Sequence, residues 1–171
     1  MKVSVLVGNP KSDSRTLKLA NAMADRFTRP GDIRFAIDLA EHVDSIFDWP
    51  SVEMDDLSNR VASSDVLIVA SPTYKATYTG LLKSFLDRYG KNGLEGVLAI
   101  PVMTGADATH SLAPEIGLRH LLVELGACVP TRALYFSMPN MDRLDEILDT
   151  WMTENQNILK FARSWRNEVA Q

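Results

Sequence analysis

Five apolar residues follow Asp65 without a polar interruption, Val66-Leu67-Ile68-Val69-Ala70. A strand with one solvated face alternates polar and apolar residues. An unbroken run belongs to a strand covered on both faces, as in the middle of a parallel sheet between helices. This run therefore limits the chain to folds that can bury a sheet on both sides.

The flanking sequence supplies the coverings. Lys2 to Val7 is a second β-branched run, ended by the turn residues Gly8-Asn9-Pro10. Leu17, Leu19, Ala20, Met23, Ala24 and Phe27 recur at helical spacing until Pro30-Gly31 stops them. Ile33 to Leu39 reads as a strand, Asp38 to Pro50 as irregular, and Met54 to Ser63 as a short helix. Leu81, Leu82, Phe85 and Leu86 form the stripe of a further helix, closed at Tyr89-Gly90. Gly96 to Met103 predicts a strand, Leu112 to Leu125 a helix, Arg132 to Phe136 a fifth strand, and Leu144 to Val169 the last helix. Strands alternating with helices predict βαβ units and a doubly wound, five-stranded parallel sheet between two helical layers, a three-layer α/β/α sandwich. Ligands of such sheets sit beyond the carboxyl ends of the strands at the topological switch point, so the loops after the first, third and fourth strands are where a site is expected.

At 171 residues the chain fits one domain, residues 1–171, able to bury roughly 70% of its unfolded surface. A formal net charge of -4 argues against a nucleic-acid footprint, which needs clustered cations. No stretch approaches the roughly 20 apolar residues of a membrane helix, and Val3 to Val7 is too short for a signal-peptide core. The single Cys128 has no disulfide partner, which points to a reducing compartment and to the cytoplasm. No HExxH spacing or cysteine cluster suggests a metal.

The first loop, Gly8-Asn9-Pro10-Lys11-Ser12-Asp13-Ser14-Arg15-Thr16, brings small hydroxyl residues and two cations to the start of a helix. Unsatisfied N–H groups and the positive end of the helix dipole suit a phosphate there, with Ser14 and Thr16 as further donors and Lys11 and Arg15 as counter-charges. The plain alternative is that Asp13 or Ser14 only caps the helix. Neither GxGxxG nor GxxxxGK[ST] is present.

These residues carry a resemblance. Gly8-Asn9-Pro10-Lys11 through Ser14-Arg15-Thr16 resembles the phosphate loop of the NADPH-dependent FMN reductases, a flavodoxin-like family. Ser71-Pro72-Thr73-Tyr74-Lys75-Ala76-Thr77-Tyr78-Thr79-Gly80-Leu81-Leu82-Lys83-Ser84-Phe85-Leu86-Asp87 resembles the family segment that passes the isoalloxazine edge. Pro101 to His110 and Leu118 to Ala127 are similar to the sulfonate-utilisation branch, whose reductases serve two-component monooxygenases. The resemblance covers roughly Val3 to Phe136.

It implies that Asn9, Lys11, Ser14, Arg15 and Thr16 surround the FMN phosphate. Pro72, Thr73, Tyr74 and Lys75 would hold one side of the ring, with backbone N–H groups from Thr73 to Lys75. Thr104, Gly105, Ala106 and Asp107 would approach the other side, Gly105 permitting close backbone contact. Asn9 stands where many relatives have Ser, Ala106 replaces a second Gly, and Ile116 lies where some sulfonate-linked reductases carry an additional Tyr.

The implied activity is hydride transfer from NADPH or NADH to flavin, without a catalytic side chain. Reduced FMN would then pass to a partner monooxygenase. The alternatives are a bound-FMN enzyme reducing quinones, azo compounds or metal ions, a flavodoxin-type electron carrier, and a binding module without flavin. A homodimer or homotetramer is expected, since the apolar stripes at Leu81 to Leu86, Leu118 to Leu125, and Leu144, Ile147, Leu148, Trp151, Ile158, Phe161 and Trp165 exceed what the sheet needs. The simpler role for the two tryptophans is to anchor the final helix.

Overall fold

The computed structural model describes residues 1–169, with side chains for all of these except 163 and 165–169. Strands β1 (Lys2–Val7), β2 (Ile33–Asp38), β3 (Val66–Pro72), β4 (Leu98–Gly105) and β5 (Leu134–Ser137) form one parallel sheet in the order β2-β1-β3-β4-β5. This is the flavodoxin-like doubly wound arrangement. The winding direction reverses at β1 and β3, which pair from Val3↔Val66 to Val7↔Ala70 and so open a crevice at their carboxyl ends.

Helices α1 (Arg15–Asp25), α2 (Val52–Ala62), α3 (Gly80–Leu86), α4 (Arg119–Glu124) and α5 (Leu144–Val169) cover the sheet. Alternation along β3 assigns the layers. Val66, Ile68 and Ala70 pack with Leu19, Ala20 and Met23 of α1 and with Leu148, Trp151 and Leu159 of α5. Leu67 and Val69 pack with α2, α3 and α4 through Met54, Val61, Leu82, Phe85 and Leu122, and with Leu118 just before α4. All seven residues of β3 are buried, as expected of a strand covered on both faces.

Several element boundaries differ from the sequence reading by one or two residues. Gly96 sits at φ +81° in a turn, so β4 starts at Leu98 and extends through Thr104 to Gly105. At β5 the expected start at Arg132 is displaced to Leu134, because the Ala133 N–H is drawn to Glu115 Oε1 at 2.7 Å. The helix expected over Leu112 to Leu125 is a π-helical turn, Pro114–Leu118, followed by α4.

The stripes expected to be surplus are largely consumed by the chain's own core. Leu82, Phe85, Leu86, Leu118, Leu122 and Leu148 are fully buried, and Trp151 anchors α5 on the sheet. Trp165 lies outside the described side chains. Within those stripes Val123, Ile158 and Phe161 stay exposed, and outside them Leu112, Ile116, Phe47, Trp49 and Val52 do. Among the described residues no helix is long and apolar enough to cross a membrane.

Candidate functional site

The carboxyl ends of β1, β3 and β4 open into a cleft of about 830 Å³, within the range that holds nucleotide-sized ligands. Its first side is the loop into α1. Asn9 organises this loop, accepting from Lys11 N at 3.0 Å and donating from Nδ2 to Thr16 Oγ1 at 3.1 Å. Thr16 Oγ1 lies in turn 3.2 Å from Thr104 Oγ1, so a line of polar side chains ties β1 to β4 beneath the cleft. The Thr16 hydroxyl is thus turned inward rather than held out as a free donor.

Ser14 caps α1, its Oγ accepting from Leu17 N at 3.2 Å. That bond uses a lone pair and leaves the hydroxyl proton available, so capping and anion binding are compatible. The first-turn N–H groups of Arg15 and Thr16 have no intrahelical acceptor. Lys11, Arg15 and Lys18 line the same end against a single carboxylate, Asp13. The local charge is positive on a chain whose net charge is -4. Hydroxyl, backbone donors, helix dipole and cations together form a receptor for a phosphate dianion.

Asp38, at the end of β2, holds the loop from behind. Its Oδ2 accepts from Asp13 N at 3.1 Å, fixing Asp13 at φ +51°, and its Oδ1 accepts from Ala40 N at 3.3 Å. Burial raises the Asp38 pKa above its ordinary 3.8, outweighing the two N–H groups that favour the carboxylate. The folded state therefore holds a proton that the unfolded chain has released, and Asp38 subtracts from stability as pH rises through that window. The unfolding free energy of wild type relative to Asp38→Asn should accordingly decline as pH rises from about 4 to neutrality, the direction set by linkage. Urea unfolding of both proteins across that range checks the sign.

The second side of the cleft is Pro72, Thr73 and Tyr74. Tyr74 and Thr77 exchange backbone hydrogen bonds of 2.8 and 3.2 Å around Lys75 and Ala76, whose φ angles are +51° and +67°. Positive φ at both central residues is the pattern of a type I′ turn, a conformation that favours Gly and Asn. Lys75 occupies the exposed tip of this turn and stands outside the cleft lining. The N–H groups of Thr73 and Tyr74 are already engaged, the first by Thr104 O at 2.7 Å. The expectation that they serve a ring edge is corrected: the turn and the β3–β4 junction use them. Thr73 Oγ1 is buried without a hydrogen bond of ordinary geometry, the Tyr135 hydroxyl lying beside it.

An alanine in the left-handed region costs about 1–2 kcal/mol, part of which a glycine recovers. Ala76→Gly should therefore stabilise the protein by about 0.5–1 kcal/mol, raising the melting temperature by roughly 1–4 °C. A thermal melt decides it, and a lower melting temperature would show that the turn is unstrained.

The third side is Thr104, Gly105 and Ala106, joined by Met138 and Pro139 after β5. Asp107 stands outside the lining because its carboxylate caps the following turn, accepting from Thr109 N at 2.8 Å. Hydrogen bonds from Thr109 hold its pKa below the ordinary carboxylate value. Gly105 is required by its neighbour: an added Cβ would overlap the Tyr135 hydroxyl and lie 2.8 Å from Cζ. Tyr78 is half-buried against the core and is likewise absent from the lining.

Eleven of the residues singled out in sequence thus meet in one cleft, namely Asn9, Lys11, Ser14, Arg15, Thr16, Pro72, Thr73, Tyr74, Thr104, Gly105 and Ala106. Asp13, Lys18, Met138 and Pro139 join them. Lys18 was detectable, lying one helical turn beyond Ser14. Met138 and Pro139 gave no local signal; only the position of β5 beside β4 brings them in.

The chain is also similar to known proteins. The family model for NADPH-dependent FMN reductase matches residues 1–140. The chain is 29% identical over 141 residues to an FMN reductase (NADPH) of Escherichia coli K12, covering 74% of this chain and 68% of that protein. It is 27% identical to the NADH-dependent FMN reductase SfnF of Pseudomonas putida, covering 88% and 90%. Among solved structures, the apo form of an NADH:FMN oxidoreductase, EMOB, superposes with a TM-score of 0.76 at 28% identity, covering 90% of this chain and 89% of that one.

Proposed function

We propose that this chain, which belongs to the NADPH-dependent FMN reductase family, is an NAD(P)H-dependent FMN reductase that releases its reduced flavin to a separate monooxygenase. The observation that carries the reading is the phosphate receptor at the α1 N-terminus, continuous with a cleft that has two walls for a flat ring. FMN held here would supply the hydride-accepting chemistry. The chain contributes position. Ser14, Arg15 and the first-turn N–H groups hold the phosphate, while Pro72-Thr73-Tyr74 and Thr104-Gly105-Ala106 flank the ring.

Release of the flavin is supported by the open rim of the cleft, where Tyr74 is half exposed and supplies the only aromatic side chain of the lining. The names of the relatives, which treat FMN as what is reduced, support it too. Exposed Leu112, Ile116 and Val123 support assembly with further copies of the chain. The nicotinamide donor and the unpaired Cys128 fit a cytoplasmic setting.

The test is NADPH and NADH oxidation under air by purified protein, with and without added FMN, together with its visible spectrum. A colourless protein that turns over only when FMN is added is the expected result. A yellow protein that reduces quinones or azo compounds would establish the bound-cofactor alternative instead.

A further inference from the structure

We propose that Tyr135, in β5 and outside the cleft, is a positioning residue for flavin binding, setting the backbone of Gly105 and Ala106 that forms the β4 side of the cleft. The inference rests on the flavin reading above.

Three contacts converge on this side chain. Its hydroxyl donates to Asp107 O at 2.7 Å, anchoring the loop from its far end. Its ring tip fills the space that a side chain at position 105 would need, so Gly105 rests directly against the phenol. The same hydroxyl lies beside the Thr73 side chain and thus touches the β3 wall as well as the β4 wall. Two residues further along, Ser137 Oγ donates to Ala106 O at 3.4 Å, a weaker tie in the same direction. The Asp107 carboxylate is committed to Thr109, so the loop is fixed from within and from β5. Burial and the nearby Asp107 charge raise the Tyr135 pKa, which keeps the phenol a donor at neutral pH. A loop held this way presents its backbone to a ligand without first having to be ordered, and preorganisation of that kind appears in ligand affinity more than in global stability.

Tyr135→Phe keeps the ring and deletes the hydroxyl. Titration with FMN, followed by flavin fluorescence, should give a dissociation constant about five-fold weaker than wild type, the scale of one lost hydrogen bond. KM for NADPH should stay within two-fold, and the melting temperature should hold to within about 3 °C. A purely structural role would lower the melting temperature without separating the two substrates, and that pattern overturns the proposal. So does unchanged FMN affinity in the variant.

A second comparison needs no intact hydroxyl. Gly105→Ala should weaken FMN binding about ten-fold when Tyr135 is present and less than two-fold in a Tyr135→Val background, since the collision is with the phenol. Additive effects would contradict the interlock. If wild type binds no flavin, the functional reading falls and this inference with it; if wild type binds and Tyr135→Phe binds equally, only the inference falls.

Discussion

Gly8→Ala is expected to lower the melting temperature by roughly 6–12 °C, corresponding to about 3 kcal/mol, at the upper end of overpacking costs. Gly8 follows β1 and lies against Leu82 of α3. An added Cβ would collide with the Leu82 side chain and lie 3.0 Å from Leu82 Cα, and backbone yields far less readily than a flexible side chain. Relief by movement of α3 is blocked. Gly8 N donates to Ala70 O at 2.9 Å, and Gly8 O accepts from Thr79 Oγ1 while that oxygen caps α3 through Leu82 N. Shifting the helix would break its cap and the β1–β3 junction together. Gly80, in the same helix, has open space around its Cβ position, so Gly80→Ala should leave the melting temperature unchanged or raise it slightly. Similar melting temperatures for the two variants would show that the close approach at Gly8 is not real.

Ser14→Ala should weaken FMN binding by one to two orders of magnitude. The substitution removes a cap worth about 1 kcal/mol and a hydroxyl whose hydrogen bond to a charged phosphate is worth about 1.5–3 kcal/mol. Only the second affects the ligand directly, and on its own it corresponds to roughly a 10- to 150-fold change in the dissociation constant. Isothermal titration with FMN and thermal melts of the apoprotein separate the two effects. The melt should fall by about 2–4 °C, from the cap alone. Riboflavin affinity should be almost unaffected, because that ligand carries no phosphate. An FMN affinity equal to wild type, with the melt lowered as expected, would leave Ser14 a helix cap and nothing more.

Where burial fixes structure, the sequence was legible. Val66 to Ala70 could only be an inner strand, and the stripe through Leu19, Ala20 and Met23 could only face a sheet. The first loop was legible because its chemistry is local: Ser14 and Arg15 sit at the start of α1 by adjacency in the chain. What depends on tertiary contact was not. Nothing in Lys75-Ala76 announces a left-handed turn, since neither is a residue that prefers one, so Lys75 was assigned to a cleft that it does not line. Asp107, expected to approach the ring through its backbone, stands outside the cleft lining while its carboxylate accepts from Thr109 two residues on. Periodicity marked Leu82, Leu118 and Leu122 as buried but could not say against what, and the partner proved to be the chain's own sheet. The glycine at 105 was read as a concession to the ligand, whereas its immediate cause is the Tyr135 ring.

The central claim is that the cleft recognises a flavin through a phosphate seated at the α1 N-terminus. Parallel titrations of the purified protein with FMN and with riboflavin test it most directly, since the two ligands share the ring and differ in the phosphate. The account predicts FMN binding at least ten-fold tighter, from the charge-assisted hydrogen bonds and helix dipole that only the phosphate engages. Equal affinities, or no binding of either ligand, would contradict it.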